Sequence, residues 1–396
     1  LRIAQLTDCY LPVLNGVTNL VRTHKAQLER LGHQSPVFTA GHLDYADEDP
    51  NIVRSWGIPL GDSGYCVAPG YSRWAQVRLA TMDLLHAHHP FFVGRLALRY
   101  GRRFGRPVVY TNHTRLDLYA GVYVPRPLRG LARWLLRLYL PRFAAQCDLV
   151  IAPSAGLAAV MRERWGVRSP VAVVPNGIDL ARFRRAPSPA SRAELDLPPA
   201  GPLVIYTGRL GAEKNLAFLL QAFARAAPSD LDARLLLVGD GSQAAPLRAL
   251  VGHLGLAERV IFVGAVPYER VPAYLAAADL FVSASVSEVH PMSLIEALAA
   301  GLPALGVVSP GVADTIEDGV NGLLTSHDLT AFSGALRRLL VDASLRACLA
   351  EGARQTGARY SIERTTDQIV AHYQQLLRNG TQMPTDKHRS NQCASV

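Results

Sequence analysis

Short, continuously apolar segments alternate with amphipathic ones along nearly the whole chain, and the alternation runs twice. Residues 3–7, 35–39, 84–86, 108–111 and 149–152 read as buried strands in the first half. In the second half the same reading falls on 171–174, 204–207, 234–238, 260–263, 280–282 and 304–307. Helical patterns stand between them, among them 18–31, 216–227 and 268–278. Strands apolar on both faces must be covered on both, which means parallel sheets flanked by helices. Two such runs predict an α/β fold of two doubly wound, Rossmann-like domains facing across a cleft. Ligands of such sheets sit at the carboxyl ends of strands, where strand order reverses. The expected divisions are 1–166, 167–359, a last helix at 360–380 and a polar tail at 381–396, with a hinge near 166–170. Residues 310–324 read as a glycine-rich loop.

Charge is unevenly placed. Residues 1–165 hold 20 basic and 11 acidic side chains and the remainder holds 21 of each, so the formal charge of +9 belongs to the first half. From Arg95 to Arg142 there are 11 arginines and one acid, Asp117. Within that stretch, 126–140 reads as an amphipathic helix bounded by prolines 125, 127 and 141. Arg126, Arg129, Arg133 and Arg137 share a narrow arc; Leu128, Leu131, Leu135, Leu138 and Tyr139 lie opposite. The leucines are expected to pack on the core. The arginines call for an anionic partner, and an anionic membrane surface attracts each such charge by about 1 kcal/mol. Nucleic acid competes only on charge, since no base-reading motif is present. No apolar run reaches the ~18–20 residues of a membrane span. The opening residues read as an amphipathic strand and not a signal peptide. Five scattered cysteines, with no Cys-x-x-Cys pair, fit a reducing compartment. A cytoplasmic protein, peripheral on the inner face of the membrane, is the expectation.

The densest chemistry lies in 287–297. Glu288 and Glu296 stand eight apart, one on a loop after an apolar strand, the other in the first turns of a helix ending at Gly301. Between them lies a helix N-terminus, where unpaired N–H groups and the helix dipole favour phosphate. A carboxylate on each side suits a polyhydroxylated ligand. Gly208, Arg209 and Lys214 follow another strand; the two cations suit a diphosphate, or are solvated on an ordinary turn. Lys214 is one of only three lysines among 41 basic residues, which favours a role. Gly239 marks a second strand-to-glycine turn. Asn15 and Gly16 open a helix of the first half, a geometry for phosphate approach or simply a structural turn. His86, His88 and His89 invite a metal reading, but only His86 and His88 share a face of a strand and no carboxylate completes a set, so none is expected. His113 is the histidine suited to a polar role at a reacting centre.

Taken in order, these motifs resemble a family 4 glycosyltransferase of the GT-B fold over almost the whole chain. The Glu-x7-Glu pair with the Ala-x-Ala-x-Gly helix is the most specific match, supported by Arg209 with Lys214 and by 317–322. The resemblance implies a nucleotide sugar in the second domain and transfer with retention, with no metal. It implies that Glu288 meets the transferred sugar. The backbone of His290, Pro291, Met292, Ser293 and Leu294 would hold sugar and phosphates, and Glu296 the ribose. Arg209 and Lys214 would stabilise the departing diphosphate, Gly16 would admit the phosphates, His113 would sit near the anomeric centre and Val266 would border the base. Pro291 departs from the family's usual glycine and removes an N–H. Asp314 stands where the family often has a glutamate. The stretch 113–125, with the basic helix after it, is similar to transferases that glycosylate membrane lipids. That similarity implies a diacylglycerol-like acceptor, with UDP-glucose the first expected donor and GDP-mannose the second. A soluble cyclitol or saccharide acceptor, or a non-catalytic sugar-nucleotide-binding subunit, is the alternative.

Overall fold

The computed structural model describes residues 1–13, 15–60, 65–184, 192–227 and 231–381. The expected tail, with Cys393, falls outside the described residues from 382 on. The first half contains β1 (Ile3–Leu6), β2 (Val37–Ala40), β3 (Ile52–Ser55), a short antiparallel pair β4 (Ile58–Pro59) and β5 (Cys66–Val67), then β6 (Leu84–Ala87), β7 (Val108–Thr111), β8 (Leu149–Ala152) and β9 (Val171–Val173). The second half contains β10 (Leu203–Thr207), β11 (Arg234–Val238), β12 (Val260–Gly264), β13 (Leu280–Ser283), β14 (Ala304–Val307) and β15 (Gly322–Thr325). Two parallel sheets result, ordered β3-β2-β1-β6-β7-β8-β9 and β12-β11-β10-β13-β14-β15. Both are doubly wound. Strand order reverses between β1 and β6 in one sheet and between β10 and β13 in the other, so each crevice opens where ligands of such folds bind.

Four expectations are corrected. First, β1 is not amphipathic, since all four of its residues are buried. Second, the strand at 171–173 pairs with β8 and closes the edge of the first sheet, so it does not open the second half. The chain crosses between domains after it: Ile178 bridges Ser361, and its amide donates to the Tyr360 carbonyl at 2.9 Å. Third, the stretch taken for a loop holds a short helix, Pro310–Ala313, and the start of edge strand β15. Gly322 disguised that strand, and a side chain there would press a Cβ to 2.2 Å from the Ala304 carbonyl of the neighbouring β14.

The fourth correction concerns the basic helix. A 3-10 turn, Arg126–Leu128, leads into a helix from Arg129 to Ala144 that runs through Pro141. Leu128, Leu131, Leu135 and Leu138 do not pack on the core; they are 51, 53, 50 and 37% exposed, and Trp134 is 56% exposed. Only Leu136, Tyr139 and the last turn, with Leu140, Phe143 and Ala144, join the core. Among the described residues, no helix is long and apolar enough to cross a membrane.

The final helix, Ile362–Thr381, packs back on the first sheet. Ile369, Val370 and Tyr373 share one apolar cluster with Ile3, Leu28, Leu84, Val109 and Ile151.

Candidate active site

Lys214 and Glu288 form the centre of the crevice of the second sheet. Lys214 ends a 3-10 turn after β10, and Glu288 lies on the loop after β13, the two strands that flank the order reversal. Lys214 Nζ donates to Glu288 Oε1 at 2.7 Å. Burial opposes the lysine's charge, but the carboxylate beside it, with Tyr206 and Tyr119, outweighs that and holds its pKa above the ordinary value. Lys214 is therefore a fixed cation. Tyr119, from the first domain, is near enough to feel this pair; burial raises its pKa, and Lys214 and Glu288 act on it with opposite signs.

Arg209 faces the cleft more openly. Its guanidinium donates to Glu213 Oε1 at 2.6 Å, and its carbonyl accepts from the Tyr206 hydroxyl at 3.0 Å. Glu213 is buried, and its backbone carbonyl accepts from both Ser285 and Ser287. Sequence reasoning missed Glu213. Its signal was available, because it sits four residues after Arg209 and directly before Lys214. Gly208 and Gly239 both take left-handed backbone, φ 139° and 140°. A Cβ on Gly239 would lie 2.0 Å from the Gly208 carbonyl, so only glycine lets the two turns touch.

Two helix N-termini meet across the cleft. Asn15 caps the helix Gly16–Arg30 of the first domain, its Oδ1 accepting from Thr18 N at 2.9 Å. Opposite stands the helix Met292–Ala299, whose N-cap Pro291 provides no side-chain cap. A Cβ built on Gly16 would touch Met292 Cγ at 4.0 Å, so the two termini are adjacent. Their dipoles add in one place, which favours an anion between the domains.

The remaining residues separate. Ser293 is partly buried. Leu294 does not face the cleft: its side chain is fully buried and its N–H donates to the Pro291 carbonyl at 3.1 Å. The His290 ring also turns away, accepting from the Asn176 amide at 3.2 Å and lying edge-on to Tyr360 at 5.0 Å. Burial pushes its pKa down to about 4. Glu296 is buried and accepts from the Tyr268 hydroxyl at 2.7 Å. Burial raises its pKa to about 7 against the opposing effect of that hydrogen bond. Val266 packs partly buried against the cluster that also takes in Tyr268. Tyr268 was read only as the start of a helix; nothing in spacing links it to a residue 28 positions on. His113 lies beyond the end of β7, its Nε2 3.0 Å from His88 Nδ1. Among the described residues, no group of three His, Cys, Asp or Glu is placed to hold a metal ion. Both ring nitrogens of His86 and of His88 are engaged in hydrogen bonds.

Paired doubly wound domains, with a cation–carboxylate pair and facing helix termini in the crevice, define a GT-B glycosyltransferase. The family profile described as Glycosyltransferase Family 4 matches residues 14–182, and that of Glycosyl transferases group 1 matches residues 187–356. An alpha-monoglucosyldiacylglycerol synthase of Streptococcus pneumoniae is 30% identical over 354 residues, 86% of this chain and 78% of that protein. A GDP-mannose-dependent alpha-mannosyltransferase of Corynebacterium glutamicum is 28% identical over 393 residues, 97% of this chain and 91% of that protein. Among solved structures, a sucrose-phosphate synthase from Thermosynechococcus elongatus superposes with a TM-score of 0.80 at 23% identity, covering 96% of this chain and 99% of that one. Anabaena HepE in complex with UDP-glucose gives 0.74 at 22%, covering 94 and 99%. The chain belongs to the family 4 glycosyltransferases and is a hexosyltransferase.

Proposed function

We propose that the chain moves a hexose from a nucleotide diphosphate sugar to a hydroxyl of a membrane lipid such as diacylglycerol, with retention of anomeric configuration. The Lys214–Glu288 pair at the strand-order reversal carries the reading. Glu288 accepts from the hydroxyls of the sugar. Lys214, Arg209 and the helix N-termini at Gly16 and Met292 take up the negative charge that grows on the diphosphate as the anomeric C–O bond breaks. Preorganised charge of this kind is the usual source of the largest rate gain. The acceptor hydroxyl attacks from the face the diphosphate leaves, and its proton departs with the diphosphate. Glu296 accepts from the ribose hydroxyls in place of Tyr268, with Val266 at the edge of the base. UDP-glucose is the first donor to test and GDP-mannose the second.

The lipid acceptor is supported by the basic helix. A helix that bares leucines and a tryptophan beside arginines lies in a membrane interface, apolar side down and cations at the headgroups. Leu131, Trp134 and Leu135 meet that description together with Arg126, Arg129, Arg133 and Arg137. A cavity of about 630 Å³ opens beside the helix, lined by Leu118, Arg133, Leu136, Arg137, Arg164 and Trp165, with room for part of an amphiphile. Two alpha-monoglucosyldiacylglycerol synthases among the relatives favour the same acceptor. A soluble cyclitol is the second reading. It is favoured by a D-inositol 3-phosphate glycosyltransferase of Nocardia farcinica, 30% identical over 309 residues.

Thermal-shift measurement against UDP-, GDP- and ADP-sugars tests the donor, because a ligand present at 100 times its Kd stabilises by about 2.7 kcal/mol. Labelled sugar is then offered with diacylglycerol in phosphatidylglycerol vesicles or with inositol phosphate in solution. Label in the lipid fraction supports the first reading. Label in the aqueous product alone replaces it with the second, and no release of nucleoside diphosphate from any donor overturns both.

A further inference from the structure

Behind His113 runs a chain of buried polar side chains for which the transfer reaction gives no reason. His113 Nε2 meets His88 Nδ1 at 3.0 Å. His88 Nε2 meets the Gln5 side-chain carbonyl at 2.7 Å. The Gln5 amide nitrogen donates to Ser35 Oγ at 3.2 Å and lies against the Tyr373 hydroxyl of the final helix. That hydroxyl meets His86 Nδ1 at 2.6 Å, and His86 Nε2 meets Thr111 Oγ1 at 2.7 Å. The two inner rings lie with centroids 4.4 Å apart, tilted by 31°. Gln5, His86 and His88 are all buried.

Donor and acceptor chemistry orders this chain. In the structure the Gln5 amide nitrogen faces Ser35 and its carbonyl faces His88. A carbonyl oxygen only accepts, so His88 carries its proton on Nε2. A neutral imidazole protonated at Nε2 has a lone pair at Nδ1, and that lone pair accepts from His113. The His113 proton is then on Nε2, and its Nδ1 is a bare acceptor. Burial, with the neighbouring histidines adding to it, keeps both imidazoles neutral by pushing their pKa values well below the ordinary one. Among the described residues, no group meets His113 Nδ1.

We propose that Gln5 and His88 are positioning residues that lock His113 in the Nε2–H tautomer, so that Nδ1 accepts a hydrogen bond from a hydroxyl of the transferred sugar. This rests on the reading that places His113 at the donor sugar. It adds a specificity rule: the sugar position reaching His113 must bear a hydrogen-bond donor, and a donor analogue with fluorine or hydrogen there is a poor substrate.

The tautomer is read directly. Long-range 1H–15N spectra of the full chain, labelled at histidine and free of ligands, report which nitrogen holds the proton; His113→Gln identifies the signals by their loss. Expected are a protonated Nε2 and a bare Nδ1 at His113, replaced by a mixture of tautomers in His88→Leu. A proton on Nδ1, or an unchanged His113 pattern in His88→Leu, overturns the proposal. Kinetics supply the second arm. His88→Leu is expected to lower kcat/KM for the donor about tenfold, as loss of an outer-shell partner does. Affinity for the free nucleoside diphosphate stays the same, and His88→Gln, which keeps an acceptor facing His113, recovers most of the loss. Full activity in His88→Leu, or no recovery in His88→Gln, overturns it. Should His88→Leu fail to fold, Gln5→Leu, which leaves both imidazoles in place, takes the same measurements with the same expectations. The spectra need neither donor nor acceptor, so they stand even where the donor reading fails. Undiminished turnover in His113→Ala removes His113 from the sugar site and the proposal with it.

Discussion

Lys214 occupies a place where burial alone would discharge it, and Glu288 at 2.7 Å keeps it charged. On the proposed reaction, removing the cation would take away charge stabilisation that is needed most as the diphosphate leaves. Lys214→Ala is therefore expected to lower kcat about 10²–10³-fold, the scale of losing one such donor, with a smaller change in KM. Steady-state kinetics check this, and a rise in KM with kcat intact contradicts it. Glu296 poses the opposite problem, a carboxyl whose burial outweighs the help of the Tyr268 hydroxyl and of Arg182. Its pKa of about 7 exceeds the 4.5 of an ordinary glutamate. Between those values the folded chain holds a proton that the unfolded chain has lost, so this group makes stability fall as pH rises through the window. Glu296→Gln has no such proton to lose. Its melting temperature relative to wild type should climb from pH 5 to pH 7.5, and parallel curves would show that Glu296 is not the group responsible.

At the scale of elements, the basic helix departs most from expectation. Its period of leucines and arginines is that of a surface helix, and periodicity alone cannot say whether the apolar side meets a core or a membrane. The structure leaves that side open. Leu131→Ser with Leu135→Ser should leave unfolding free energy within about 0.5 kcal/mol, as exposed positions do, while reducing retention on phosphatidylglycerol vesicles. Had these leucines been core, the same pair would cost several kcal/mol. On the proposed membrane reading, Arg129, Arg133 and Arg137 would together contribute about 3 kcal/mol of attraction to such a surface, roughly a hundredfold in partitioning at low salt. Co-sedimentation of the triple glutamine variant measures it, and a variant that binds as before removes the helix from the membrane. The paired turns at Gly208 and Gly239 belong to this scale too. Gly239→Ala combines a left-handed φ with a Cβ 2.0 Å from a carbonyl, and should destabilise by at least about 2 kcal/mol in denaturant unfolding.

In the whole molecule, the two domains are tied at several points remote in sequence. The Asp314 carboxylate accepts from Gly156 N at 2.7 Å, across 158 residues, and Val289 of the second domain joins the core of the first. The final helix returns from the second domain to bury Tyr373 in the first. Tyr373→Ala should cost about 3–5 kcal/mol, the range for emptying a large aromatic site. Thermal unfolding checks this, and a loss below about 1 kcal/mol would mean that the helix docks only loosely.

Much of this was legible in the order of residues. Strands such as 204–207 and 280–282 declare themselves because a strand buried on both faces needs a run of apolar side chains, and parallel sheets follow from that. Glu288, Lys214 and Gly16 could be singled out because charge and glycine beside strand ends are local facts. What the chain order could not reveal is which partner each group meets. Strand 171–173 looks the same whether it opens one sheet or closes another. Glu296 and Tyr268, His113 and His88, Leu131 and open solvent are relations between distant segments. They are decided by which faces the folded layers leave buried, and the desolvation and pairing that follow exist only once the layers have packed.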